Sequence, residues 1–328
     1  MNLQNYFKEK ILNIQNKNNL IKVLNAIQKS SIEIKNKLAY AAILSINGSV
    51  TNINSSGDEQ KKLDVISNDI MIHELKFTDC CSILISEEDE NPTIVKTKSK
   101  NNFVVAFDPL DGSSNIDCNC CVGTIFSIYE DNMNQERILR NGNDMICAGY
   151  ILYGPSTELV IAFGKNNGVQ RFILDKYNEY IYVGNISMNN KNLQSNIYSI
   201  NEANSQNWYD DIKMLIESYK VKNTKYTARY VGSMVADVHR TLMYGGMFAY
   251  PADMKNKDGK LRVLYECFPM ARIIEEAGGK AIVGKKSILR VLDIIVEKIH
   301  QRSSIILGSK EEIDKYESIY KTMIKSKL

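Results

Sequence analysis

At 328 residues, the chain is long enough to bury one large core or two ordinary ones. Hydrophobic residues make up 44% of it and charged residues 24%, and 41 basic against 38 acidic side chains leave a net charge of only +3. That balance fits a globular protein, offers no overall field to attract nucleic acid, and leaves no apolar run near the ~20 residues that span a bilayer. The first residues also lack the apolar segment and small-residue cleavage site of a secretory signal, so a cytoplasmic protein with no membrane partner is expected.

In chain order, the first 45 residues read as helix, with Leu20, Val23, Leu24, Ile27, Ile34 and Leu38 near the helical period. Residues 45–62 are rich in Ser, Asn and Gly and are expected to form a loop with no regular element. Helical periodicity resumes over 63–77. Short apolar runs at 80–86, 103–107, 122–129, 150–153, 158–163 and 169–174 then read as strands. A strand at 196–200, a helix over about 205–220, a second over about 233–244 and a strand at 247–250 follow. Residues 266–279 read as a helix with Pro269 in its first turn and glycine at its end, 302–309 as a strand, and 310–326 as a closing helix. Strands and helices mixed in this order predict an α/β fold of sheets covered by helices, with a soft boundary near 185–200. The seven cysteines show no spaced zinc-type pairs and are expected to be small buried residues in a reducing compartment.

The chemistry concentrates where apolar runs end in acids. Phe103 to Phe107 lead into Asp108 and Asp111, which are expected to converge where a buried strand becomes a turn. Two close buried carboxylates repel unless a cation lies between them. Gly112, Ser113 and Ser114 follow with open backbone amides and hydroxyls suited to phosphate oxygens, so magnesium is the expected metal. A second apolar run ends in Glu87 and Glu88, with Asp89 and Glu90 read as solvated. Asp58 and Asp64 bracket a lysine pair, and Glu266 follows a third apolar run. Acids from four places in the sequence suit metal-assisted phosphoryl transfer. Arg229, Tyr230, Tyr250, Lys255, Lys260 and Arg262 supply cations and hydroxyls for a second phosphate.

Long motifs carry a resemblance: GDEQKKLDVISND at 57–69, SEEDE at 86–90, FDPLDGSSNID at 107–117, ARYVGSMVADVHRTLMYGGMFAYPAD at 228–253 and GKLRVLYEC at 259–267. They resemble class I fructose-1,6-bisphosphatases, in the same order, from about residue 20 to 310. The resemblance implies a layered αβαβα fold in a homotetramer, with residues 1–190 as a regulatory-type half carrying the metal site and 191–328 as the half that binds the sugar 6-phosphate. It implies hydrolysis of the 1-phosphate of fructose 1,6-bisphosphate, with Mg2+ as the cofactor and Mn2+ or Zn2+ as substitutes. Glu87, Glu88, Asp108, the Leu110 carbonyl, Asp111 and Glu266 are implied metal-site residues. Asp64 and Glu88 are implied to orient and deprotonate the attacking water, and Asp58 to pair with Arg262 when its loop closes. Asp111, Gly112, Ser113 and Ser114 are implied to face the 1-phosphate. Asn201, Tyr230, Tyr250, Lys255 and Lys260 are implied to hold the sugar and its 6-phosphate, which Arg229 reaches across a subunit interface. Sedoheptulose 1,7-bisphosphate is the alternative substrate, and a catalytically silent sugar-phosphate sensor the alternative class.

The chain also departs from the family pattern. Asn16 to Asn19, Asn102-Phe103 and Glu130 stand where relatives bind AMP, which predicts an AMP-insensitive enzyme. Asn204 stands where a tyrosine usually meets the 6-phosphate, and the short, cysteine-free stretch 130–146 argues against thioredoxin control.

Overall fold

The structure, a computed structural model, describes every residue except 11–15, 45, 47, 54–58, 100–101, 132–137, 190–195, 223, 286 and 328. Helix α1 (Leu3–Lys10) is followed by α2 (Lys17–Ala39), which buries Leu20, Val23, Leu24, Ile27 and Ile34 along one face, as the helical spacing requires. Next, β1 (Ser49–Ile53) pairs antiparallel with β2 (Glu59–Lys61), where no regular element was expected. A ladder is held by main-chain hydrogen bonds and needs no apolar content, which is why composition missed it. Helix α3 (Lys62–Phe77) completes this outer layer.

The first large sheet holds β3 (Cys81–Ser86), β4 (Thr93–Ile94), β5 (Phe103–Asp111), β6 (Val122–Glu130), β7 (Met145–Tyr153), β8 (Thr157–Phe163), β9 (Val169–Leu174) and β10 (Tyr180–Ile186). Their spatial order is β10-β9-β8-β7-β6-β5-β3-β4, with β3 parallel to β5 and the other neighbours antiparallel. Strand β5 is buried along its whole length. Its Phe103, Val105 and Phe107 join the core under α1–α3, while Val104 and Ala106 join the core on the opposite face. This two-residue alternation into two apolar environments makes the run continuously hydrophobic.

The remaining elements are β11 (Ile197–Ser199), α4 (Asp210–Lys220), β12 (Thr227–Ala228), α5 (Met234–Tyr244), β13 (Met247–Tyr250), β14 (Leu261–Arg262), α6 (Phe268–Glu276), β15 (Lys280–Lys285), β16 (Ser287–Arg290), β17 (Arg302–Ser303), β18 (Ile305–Gly308) and α7 (Lys310–Lys327). A six-stranded mixed sheet runs β12-β11-β13-β18-β15-β16, and β14 pairs separately with β17. Val235, Val238 and Leu242 of α5 and Ile273 and Ile274 of α6 share one core with both large sheets. Leu215, Ile216 and Tyr219 of α4 and Ile313 and Tyr316 of α7 pack on the second sheet's far side. The layers therefore run αβαβα, as expected. Among the described residues no helix is long and apolar enough to cross a membrane.

Three expectations need correction. Strand β5 does not turn at Asp108 but continues through Asp111. Residues 263–267 form a π-helical turn ahead of α6, so Glu266 precedes the regular helix instead of opening it. Cys80, Cys81, Cys147 and Cys267 are buried, but Cys118 and Cys120 are exposed and Cys121 is half-buried.

Candidate active site

A regular strand would point Asp108 and Asp111 to opposite faces, because they are an odd number of residues apart. The structure resolves this with a β-bulge. Asp108 lies opposite Ile125 and Asp111 opposite Gly123, so β5 accommodates one residue more than β6 across this step. Thr124, between those partners, donates to the Pro109 carbonyl at 2.9 Å. The bulge re-aims a side chain, as bulges next to active sites commonly do, and both carboxylates then face the same point.

Glu266 reaches that point from the π-helical turn, with its Oε2 accepting the Arg262 backbone N–H at 2.6 Å. Carboxylate oxygens of Asp108, Asp111 and Glu266 lie within 4.8 Å of one another, and all three residues are buried. Glu87 and Glu88 follow β3 directly, and the Glu87 N–H donates to the Phe107 carbonyl at 3.1 Å, which sets the end of β3 beside the middle of β5, just ahead of Asp108.

The electrostatics follow from this crowding. Burial raises the Asp108 carboxyl well above its ordinary range, and the charges of Glu87, Asp111, Glu266 and Glu88 add to the effect. Burial and then Glu87 raise Glu266 in the same way, opposed by the Arg262 amide and guanidinium. Asp111 is raised by burial but partly relieved by the Val235 amide at 2.8 Å, the Ser233 hydroxyl at 2.8 Å and the Met234 amide at 3.3 Å. Those groups form the N-terminus of α5, where backbone dipoles favour an anion. Asp108, by contrast, accepts the Leu110 amide of its own bulge at 2.9 Å.

Gly112 continues from this cluster with φ of 77°, and a Cβ there would lie 2.6 Å from Ser233 Cβ. Only glycine lets the chain turn this close to the α5 start. Ser113 then donates to Asp64 Oδ2 at 3.2 Å, while Ser114 is exposed. Asp64, in the first turn of α3, also accepts the Lys61 N–H at 2.7 Å, and its Oδ1 is buried with no hydrogen-bond partner among the described residues. Burial pushes its carboxyl up to about 6, with the Lys61 amide and the Ser113 hydroxyl opposing.

The sugar-phosphate candidates are arranged more loosely. Asn201 and Tyr250 line one cleft together with Asn204, Trp208 and Asp253. The Tyr230 hydroxyl is pushed up to about 12 by burial, then by Tyr250, Asp237 and Asp111. Arg262 is buried and donates to the Lys260 carbonyl at 2.7 Å, whereas the Lys255 and Lys260 side chains are exposed. Arg229 is exposed, with its Nη1 on the Ala228 carbonyl at 3.0 Å, and is not gathered with the others. Asp58 lies outside the described residues.

Sequence reasoning missed two supports. Ser233 caps α5 and holds Asp111, and a serine directly before an apolar helical run is a readable cap signal. Asp237, fully buried, gathers the Ser199 hydroxyl, the Val231 and Gly232 amides and the Arg240 guanidinium, and so fixes the loop that leads to Ser233. An acid inside the apolar α5 pattern was its only signal.

Residues 3–185 match the fructose-1-6-bisphosphatase N-terminal domain and residues 192–321 the corresponding C-terminal domain. The cytosolic fructose-1,6-bisphosphatase of Arabidopsis thaliana is 48% identical over 294 residues, covering 87% of this chain and 83% of that protein. Fructose-1,6-bisphosphatase 1 of Bos taurus is 44% identical over 311 residues, covering 92% and 90%. The crystal structure of Leishmania major fructose-1,6-bisphosphatase in holo form superimposes with a TM-score of 0.90 at 37% identity, covering 98% of this chain and 99% of that one. With both halves matched and the layers shared, the chain belongs to the fructose-1,6-bisphosphatase family.

Proposed function

We propose that this chain hydrolyses the 1-phosphate of fructose 1,6-bisphosphate to give fructose 6-phosphate and phosphate, with magnesium as cofactor. The observation that carries this reading is the convergence of Asp108, Asp111 and Glu266 within 4.8 Å. Such a cluster is costly at neutral pH unless a cation neutralises it. Its donors are all oxygen, which fits a hard cation such as magnesium or manganese better than zinc, whose sites draw on nitrogen and sulfur. Glu87, Asp108, Asp111, Glu266 and the Leu110 carbonyl are the residues that would hold it, with Glu88 at their edge. When bound, the cation supplies Lewis-acid stabilisation of the phosphoryl oxygens.

The chain's own groups do the rest. Gly112, Ser113 and Ser114 receive the 1-phosphate beside Asp111. Glu88 and Asp64 orient the attacking water and take its proton, and a carboxyl near 6 is matched to that task. Asn201, Tyr230, Tyr250, Lys255, Lys260 and Arg262 hold the sugar and 6-phosphate, and Arg229 serves a neighbouring subunit in a homotetramer. Residues 1–190, which supply Asp108 and Asp111, and residues 191–328, which supply Glu266 and the sugar-phosphate groups, meet at this site in a cytoplasmic enzyme.

We also infer that AMP does not inhibit it. Asn19 donates to the Ser99 hydroxyl and Asn102 to the Ser99 carbonyl, both at 3.0 Å, and Glu130 is an acid where the resemblance implies a phosphate contact. Phosphate release with and without magnesium, on fructose 1,6-bisphosphate and sedoheptulose 1,7-bisphosphate, tests the reading. Magnesium-dependent release with higher kcat/KM on the fructose substrate supports it, and preference for the longer sugar would transfer the assignment.

A further inference from the structure

Beyond the acidic centre, the loop from β5 to β6 carries three thiols, Cys118, Cys120 and Cys121. Ser113–Asn115 form a short 3-10 turn, and the following residues end it in a Schellman motif. The Cys120 N–H bonds to the Asn115 carbonyl at 3.1 Å and the Asn119 N–H to the Ile116 carbonyl at 2.9 Å, with Asn119 at φ of 56°. Cys118 and Cys120 therefore flank the left-handed residue of the cap. Both are exposed, and the Cys118 thiol donates to the Asn115 carbonyl at 3.3 Å. The Cys120 thiol contacts that of Cys118, which holds it above its ordinary range. Lys35 lines the same cleft as Cys120 and Cys121.

We propose that Cys118 and Cys120 are a dithiol–disulfide site, and that closing the disulfide slows turnover at the adjacent active site. In the closing step the thiolate of one cysteine attacks a small-molecule disulfide and expels one thiolate. The second cysteine, after losing its proton, displaces the other half of the reagent from the mixed disulfide. Two protein thiols are oxidised, one reagent disulfide is reduced to two thiols, and no other reactant is needed. Closing the bond costs the Cys118–Asn115 contact and remakes the cap around Asn119. The same turn places Ser113 on Asp64 and Asp117 on Lys61 Nζ, at 3.2 and 2.6 Å, so the start of α3 moves with it. The effect on turnover rests on the active-site reading above, whereas the thiol chemistry does not.

The test treats the full chain with oxidised glutathione, maps cysteine pairing by mass spectrometry and measures magnesium-dependent phosphate release. The expected result is loss of two hydrogens, a bond mapped to Cys118–Cys120, and a fall in kcat of roughly tenfold, as for disturbed supporting contacts of a metal site, reversed by dithiothreitol. Cys120→Ser should carry a glutathione adduct on Cys118 and no internal bond, and Cys121→Ser should behave as the parent. Pairing through Cys121, adducts without an internal bond, or a Cys118–Cys120 bond with unchanged kcat would overturn the proposal. If the reduced chain releases no phosphate, the active-site reading fails, while the pairing result still decides the thiol chemistry.

Discussion

The two ends of the site are built differently. At the acidic end, Asp108, Asp111 and Glu266 are buried, fixed by a strand bulge, a helix N-terminus and a π-helical turn. At the proposed sugar-phosphate end, Lys255 and Lys260 are exposed. Under the proposed reading the contrast is functional. Charge development at the scissile phosphate rewards groups already in place, whereas a distal phosphate needs only enough attraction to be held while the sugar settles. In that reading a cation neutralises the repulsion at one end, and the exposed lysines at the other stay hydrated until a phosphate binds.

Changes at the acidic end should therefore act on kcat, and changes at the other end on KM. The largest effect is expected for Glu88→Gln, with kcat reduced roughly 10²–10⁴-fold, the usual worth of a positioned proton acceptor. Substrate binding should survive, as equilibrium binding can show, and full activity would remove Glu88 from this role. Ser233→Ala strips one hydrogen bond from Asp111 and uncaps α5. It should weaken magnesium activation about 10–100-fold and cost about 1 kcal/mol of stability in denaturant unfolding.

Next in size is the acid limb of the pH profile. Because Asp64 must be ionised to take a proton and its carboxyl lies near 6, kcat/KM should fall as pH drops through that value. Asp64→Asn should leave a slower enzyme without that limb, and an unmoved limb would assign it to another group. Lys260→Ala should lose about 1.5 kcal/mol of substrate binding, the low end for a charged hydrogen bond. That loss appears as a KM rise of roughly tenfold at near-constant kcat. Smallest of all, micromolar AMP should leave the steady-state rate unchanged, and inhibition would show that Glu130 does not exclude the nucleotide.

Much of this was legible because apolar runs end in acids. Phe103 to Asp111 and Ile83 to Glu88 announce buried strands that deliver carboxylates, and burial of the whole of β5 explains why its run is unbroken. What composition could not show was register. Nothing local distinguishes a turn at Asp108 from a bulge that keeps Asp111 in the strand, because pairing with β6 decides it. The π-helical turn at Glu266 is likewise settled by tertiary contact, with Ser127 donating to the Leu264 carbonyl at 2.8 Å. The β1–β2 ladder was hidden because main-chain pairing leaves little trace in composition. The buried-cysteine expectation failed at Cys118 and Cys120 because the end of a surface turn overrides the residue type's preference for the interior.

The central claim is that buried carboxylates repel one another until a cation joins them, and thermal unfolding of the metal-free chain tests it most directly. Asp108 and Glu266 have folded-state values well above their unfolded ones, so their stabilising contribution is complete below the ordinary carboxylate range and is lost as pH rises through the raised values. The account predicts that Tm of the metal-free chain falls over that rise, that magnesium restores it, and that the restoration is larger at about pH 8 than at about pH 6. A Tm indifferent to magnesium at both pH values would contradict it.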